Sequence, residues 1–361
     1  MHNPHFDRLK VAVLQVAVLN GELRVEILDP QVSEGEFSEP PPQVARSVSQ
    51  HISDLKGREF QVISLWVPDW PNLDAMVPGK RDFLRPARLI SLGTCWCAWD
   101  KAYRLISALT RAREVPFCVI DRSDSTVLDP RIMRFLNLAT LVFKREFPRN
   151  AINLFLYSTP RDIEPWRNLQ RFGATLSKIK PISLGLKRAQ IPPSDLLLLN
   201  KDIDVFWAGN SSICPVRWRG IELLGGLKEN GLNVFIPDEP LSKMEFLEKV
   251  ARSFLVWSPE GIGYQCYRTF EAALCASVPV LSHPTIWQHA PFENGLHSIH
   301  YSADGDDLVT KICLALKNRE TLKQLGRDSL EWASKNHLLG LEYSRAVNET
   351  LDAFSNERQI A

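Results

Sequence analysis

The chain has 361 residues, 45% hydrophobic and 24% charged, which excludes general disorder and leaves room for two α/β domains. Its 43 basic and 42 acidic side chains give a formal net charge of +1, so there is no electrostatic case for nucleic acid. Seven cysteines at irregular spacing, with Cys95-Trp96-Cys97 a single C-x-C, frame no metal site and read as free thiols of a reducing compartment. The first apolar stretch, Val11 to Leu19, is broken by Gln15 and is too short to span a bilayer. It has no cleavage site, so the expectation is a cytoplasmic chain without a transmembrane segment, open to peripheral membrane contact.

In chain order, Val11 to Leu19, Asn20-Gly21 and Glu22 to Leu28 predict a strand, a turn and a strand, because Asn-Gly accepts the positive φ of a tight hairpin. A polar, Pro-rich loop covers Asp29 to Gln43, and a helix follows from Val44 to Leu55, closed by Gly57. Apolar runs at Phe60 to Trp66, Ala87 to Leu92, Phe117 to Ile120 and Thr140 to Phe143 read as buried strands. Helices are expected between them at Lys101 to Ala112 and Arg131 to Leu136. Ile152 to Tyr157 and Ile182 to Leu186 read as further strands, and Lys187 to Asn200 reads as a hinge.

The second half alternates more regularly. Strands are expected at Asp204 to Ala208, Asn233 to Ile236, Phe254 to Trp257 and Val278 to Leu281. Between them lie a helix opened by Pro215 and stopped at Asn230-Gly231, a helix opened by the capping box at Ser242 to Glu245, and a helix over Gln265 to Ala276. Amphipathic helices near Asp306 to Lys317, Thr321 to Lys335 and Leu341 to Phe354 close the chain. The fold class expected is α/β, two Rossmann-like lobes facing each other across a cleft, divided as 1–190 and 191–338 with 339–361 returning to the first lobe.

Ligands of open parallel sheets sit beyond the carboxyl ends of strands, and two loops there carry the right chemistry. One is Gly209-Asn210-Ser211-Ser212, small and rich in donors. The other is Ser258 to Tyr264, where Glu260, Gly261, Gly263 and Tyr264 lead into a helix whose free amides suit a diphosphate. Arg268 and Glu271, three residues apart near the start of that helix, offer a fork for phosphate and an acceptor for ribose hydroxyls. The same pair also fits an ordinary intrahelical contact on a solvated face.

Trp257 to Leu281, WSPEGIGYQCYRTFEAALCASVPVL, resembles the donor-binding signature of GT-B glycosyltransferases, in particular the exostosin-like branch and the group 1 C-terminal domain. Pro259, Gly261, Gly263, Arg268, Glu271, Ala272, Pro279 and Val280 carry the likeness, and DIDVFWAGNSS, with His337 and Arg345 further on, extends it over about residues 200 to 350. The resemblance implies glycosyl transfer from a nucleotide diphosphate sugar to a glycan, lipid-linked or protein acceptor. No cofactor and no obligatory metal are implied. Arg268 would hold the diphosphate, Glu271 the ribose, and amides near Asn210 and Gly261 the remaining oxygens. Retaining members carry a second glutamate where this chain has Arg268, a departure that favours inversion.

Inversion needs a general base, for which Asp121 and Asp124, after the strand Phe117 to Ile120, are the candidates. Both residues also fit turn capping. Lys144 and Arg145, after the next strand, could meet donor phosphate or an anionic acceptor, or be solvated charges. His283, His289, His297 and His300 lack zinc-helix spacing and read as loop histidines; Trp66, Trp70, Trp96 and Trp99 fit core packing better than sugar stacking. Two rival functions stay open, a nucleotide-sugar epimerase and a non-catalytic binding or regulatory protein on the same scaffold.

Overall fold

The computed structural model of the chain describes residues 11–19, 22–28, 47–67, 86–128, 130–155 and 170–360. The chain divides into two compact units, Phe6–Ile182 with Tyr343–Ala361, and Ser183–Glu342.

In the first unit the opening hairpin pairs β1 (Val13–Leu19) with β2 (Glu22–Leu28), Val16 opposite Val25 and Leu19 opposite Glu22. β2 is an edge strand and is only partly buried, whereas β3 (Val62–Val67), β4 (Phe117–Asp121) and β5 (Leu141–Lys144) are buried at every position. β6 (Ile179–Pro181) completes the order β2-β1-β3-β4-β5-β6, parallel throughout except at the hairpin. Strands buried at every position need cover on both faces, and helices supply it. α1 (Val48–Asp54) starts at a capping box of Ser47 and Gln50. α2 (Pro86–Arg113) packs Trp99, Leu105 and Ile106 into the core, and α3 (Pro130–Met133) adds Ile132.

The second unit holds β7 (Ile203–Phe206), β8 (Val234–Phe235), β9 (Ser253–Trp257), β10 (Val278–Ser282) and β11 (Ile299–Tyr301). All pair in parallel, in the order β11-β10-β9-β7-β8. α4 (Pro215–Glu229) starts with proline at its first position. α5 (Lys243–Ala251) starts at the Ser242–Glu245 capping box. α6 (Tyr267–Leu274), α7 (Leu308–Leu316) and α8 (Arg319–Asn336) follow. α9 (Leu339–Ile360) leaves this unit at Glu342 and continues into the first, where Tyr343 hydroxyl and Ser64 Oγ share a hydrogen bond of 2.5 Å. Both units are thus α/β, each built on a mostly parallel, Rossmann-like sheet, as expected. Among the described residues no helix is long and apolar enough to cross a membrane.

Four expected elements differ. Ala87 to Leu92 is not a strand but the first part of α2. A short apolar run does not distinguish the two states, and here Pro86 at the helix start, with Ala, Arg and Leu as good helix formers, decides it. Ala151–Phe155 is a 3₁₀ helix where a strand over Ile152 to Tyr157 is expected, because Asn150 Oδ1 accepts the Ile152 amide at 3.1 Å and bends the chain. Ile182 to Leu186 also leaves the sheet: the Ser183 amide bonds Glu342 Oε2 and the Leu184 amide bonds Gln265 Oε1, so neither can join a ladder. The helix over Arg131 to Leu136 ends at Met133, after which the chain turns. β11 was not expected at all. The Asn20-Gly21 turn, the loop Asp29 to Gln43, the start of the helix at Val44, and Trp70 lie outside the described residues, as does the Trp96 side chain.

Candidate anion-binding site

The strand order of the second unit reverses at β7, with β8 on one side and β9 on the other. Such a switch point splays the loops that leave the two central strands and opens a crevice at their carboxyl ends. The loops concerned are Trp207 to Ser212, after β7, and Ser258 to Cys266, after β9. Helices α4 and α6 start from them, so two helix N-termini converge on one place.

Each helix carries an arginine in its first turn, and neither has an acidic residue there. That is the reverse of the arrangement the helix dipole favours. Arg268 is 9% exposed; its Nε and Nη2 both donate to the Ala208 carbonyl, at 3.0 and 2.6 Å, and its guanidinium lies 5.7 Å from the Trp207 ring. Its remaining nitrogen, Nη1, is buried and bonded to nothing. Arg217 is 5% exposed, donating from Nε to the Glu260 carbonyl and from Nη1 to the Asn210 carbonyl, both at 3.0 Å. Its Nη2 reaches Cys266 Sγ at 3.7 Å. Among the described residues neither arginine forms an ion pair. Burial pushes the Arg268 pKa down to about 10; the nearby Cys266 draws it back up and the like charge of Arg217 lowers it further. Two buried cations bonded to backbone oxygens and a thiol, with no carboxylate in direct contact, are only partly neutralised.

The glycines permit this approach. A methyl group on Gly209 would lie 2.3 Å from Arg268 Nη2, and one on Gly261 would lie 2.8 Å from Arg217 Nη2. The loop is also tied down: Ser258 Oγ and Thr269 Oγ1 share a bond of 2.9 Å, Tyr264 hydroxyl donates to the Ser282 carbonyl at 2.6 Å, and the Gly261 amide donates to the Gly263 carbonyl. Asn210 Oδ1 accepts from the Ser212 amide and hydroxyl and so caps its own 3₁₀ turn, Ser211–Ile213, with Ser211 exposed.

Gly209, Asn210, Glu260, Gly261 and Arg268 therefore meet around one point, together with Arg217, which the sequence reading passed over. Its signal was available: an arginine two residues after a helix-opening proline sits against the dipole. Glu271 acts on Arg268 only through space, raising its pKa, and has a closer partner. It is buried and ion-paired through Oε1 with Lys243 at the start of α5, so the intrahelical Arg268–Glu271 contact is absent.

The candidates of the first unit form a different cluster. Asp121 and Lys144 are both 0% exposed and pair at 2.8 Å; Lys144 also donates to Ser123 Oγ, and Asp121 Oδ1 accepts the Ser123 amide, each at 3.0 Å. Arg145 pairs with Asp124 and with the buried Glu146. Asp124, at 36%, is the solvent-reachable carboxylate of the group. Trp66 and Trp99 are buried. His297 stacks on Trp332 at 4.4 Å and His283 lies edge-on to His300 at 6.2 Å; among the described residues no cluster of His, Cys, Asp or Glu could hold a metal ion.

No protein-family model and no curated protein matches this sequence. Solved structures similar to it include HepE of Anabaena in complex with UDP, at 12% identity and a TM-score of 0.43, covering 85% of this chain and 82% of that one. The same protein in complex with UDP-glucose aligns at 13% identity, a TM-score of 0.41 and the same coverage. Sucrose-phosphate synthase from Thermosynechococcus elongatus aligns at 12% identity and a TM-score of 0.44, over 85% of this chain and 77% of that one. The likeness is weak in sequence and in shape.

Proposed function

We propose that this chain is a glycosyltransferase whose second unit binds the diphosphate of a nucleotide sugar between Arg217 and Arg268. The observation that carries the reading is the pair of buried, carboxylate-free guanidiniums at the sheet's switch point. A diphosphate supplies the missing charge and an acceptor for Arg268 Nη1, close to where α6 begins. As the glycosyl bond breaks, negative charge grows on the leaving phosphate. Fixed cations already in place stabilise it without rearrangement and can serve where other enzymes use a divalent ion. Glu271 keeps its role towards ribose hydroxyls, through the oxygen that Lys243 does not take. As base towards an acceptor hydroxyl on a glycan, lipid or protein, Asp124 is favoured over Asp121, whose carboxylate is enclosed with Lys144.

The test is a thermal-shift series with UDP, GDP and ADP on wild type, Arg217→Gln and Arg268→Gln. A ligand at a hundred times its Kd stabilises by about 2.7 kcal/mol, which is readily seen. At least one diphosphate should raise the melting temperature of wild type, and both variants should lose that rise. No response from wild type, or an undiminished response in both variants, overturns the reading. Release of free nucleotide from a sugar donor then separates transfer, which needs an acceptor, from binding alone.

A further inference from the structure

A cavity of about 330 Å³, part of it open to solvent, is lined wholly by residues of the second unit. α6 serves both places: Arg268 bonds the Ala208 carbonyl at the anion site, and the next two residues, Thr269 and Phe270, line the cavity. Among the described residues of that lining none is Lys, Arg, Asp or Glu. Glu342, whose carboxylate takes the Ser183 amide and lies 4.0 Å from His289 Nε2, is not part of it. A charged ligand would find no fixed counter-ion there, so the chemistry suits a neutral one.

Part of the lining is aromatic. Phe292 stacks on His337 with ring centres 4.8 Å apart, and Phe270 packs 5.1 Å from the same imidazole. Several polar groups beside them are held in place: Thr269 Oγ1 shares a bond with Ser258 Oγ, and Gln265 Oε1 accepts the Leu184 amide at 2.7 Å. His337 Nε2 differs. The residue is 3% exposed, and no protein group completes a hydrogen bond to that nitrogen. The Ala290 backbone is near enough to act on the ring, but its carbonyl already accepts from Trp332 Nε1 at 3.2 Å. Burial, helped by His289 nearby, pushes the His337 pKa down to about 3, so the imidazole is neutral. Nε2 is then a donor or an acceptor, according to which way the bond between Nδ1 and Ser183 Oγ runs. A hydroxyl answers both cases, being donor and acceptor at once. Ala290 also lines the cavity, with φ at 45°, a left-handed backbone that a non-glycine residue keeps only where its surroundings impose it. Such residues gather at ligand sites.

We propose that this cavity binds a neutral, hydroxylated ring of monosaccharide size, with one hydroxyl on His337 Nε2 and its C–H groups against Phe270 and Phe292. The site stands on its own residues and does not rest on the diphosphate reading.

The experiment is a titration of the full chain, carrying ¹⁵N-labelled histidine, with methyl glucoside, methyl galactoside, methyl mannoside and N-acetylglucosamine, in the absence of nucleotide. Uracil serves as a flat neutral ring without hydroxyls. At least one sugar should bind saturably and move the His337 Nε2 resonance, as expected for a nitrogen that gains a hydrogen bond. His337→Gln should weaken that sugar by about three- to ten-fold, the worth of one such bond, and Phe292→Leu should weaken it by a similar factor. Saturable binding of none of the four sugars overturns the inference. So does binding that leaves the Nε2 resonance in place, or that both variants retain in full. Displacement of the sugar by inorganic pyrophosphate would put it in the anion site and overturn the inference as well. Uracil binding more tightly than every sugar would overturn the hydroxylated class.

Discussion

In the first unit Lys144 lies fully buried 2.8 Å from Asp121, and Arg145 has Asp124 and Glu146 beside it. In the second unit Arg217 and Arg268 are nearly as deep, yet each bonds only to backbone carbonyls or a thiol. Burying a charge is costly wherever it occurs, so the two clusters hold together for different reasons. The first is internally neutralised and depends on its own members. The second has no carboxylate in direct contact with either guanidinium, although Cys266 and Glu271 act on Arg268 from nearby, and that suits a binding site more than a structural ion pair.

The contrast breaks most visibly in the first unit. Asp121→Asn leaves Lys144 charged and unpaired, and the chain should lose about 3–5 kcal/mol in urea denaturation. Replacing both partners, Asp121→Leu with Lys144→Met, should recover most of that loss. A wild-type midpoint for the single variant would mean the pair does not hold its surroundings.

The matching change in the second unit should act differently. Arg268→Gln removes a buried charge that has no carboxylate in contact, so folding stability should change little despite the lost bonds to the Ala208 carbonyl. Affinity for the best nucleoside diphosphate should fall by about 1.5–3 kcal/mol, the range for a bond to a charged group. A variant that unfolds more easily and still binds would reverse the assignment of the two clusters.

A third device, neutrality, holds His337. It is enclosed with Phe270 and Phe292, its Nδ1 shares a bond with Ser183 Oγ, and burial lowers its pKa to about 3, from 6.5 in the unfolded chain. Between those values the unfolded chain carries the extra proton. Stability is therefore complete above pH 6.5 and falls with pH by about 1.4 kcal/mol per unit, or about 2 kcal/mol by pH 5. His337→Gln should flatten this part of the stability–pH curve; an unchanged slope would assign it to other groups. Smallest is Gly209→Ala, which crowds the Arg268 guanidinium: about 1 kcal/mol of stability and a measurable weakening of pyrophosphate binding, read by calorimetry.

The parts of the chain readable in advance were those with local causes. The Ser242–Glu245 capping box, the proline opening α4, the hairpin strands on either side of Asn20-Gly21 and the alternation of the second half all act within a few residues. The strand expected at Ala87 to Leu92 failed because a six-residue apolar run suits a buried strand and a buried helix equally. Arg268 was legible through its place after a glycine loop. Arg217 left only a fainter local signal, its place just after the proline that opens α4, and the loop whose Glu260 carbonyl it holds lies more than forty residues later.

Local sequence by itself determined that there are two α/β sheets and which glycine loop leads into a helix, since propensity, capping and periodicity are properties of neighbours in the chain. Only the tertiary structure decided which charges are compensated. Asp121 finds Lys144, and Glu271 finds Lys243 instead of Arg268, across spans of 23 and 28 residues that no spacing rule connects. Charge compensation is a matter of distance and burial in space, and it leaves Arg217 and Arg268 as the pair without a carboxylate.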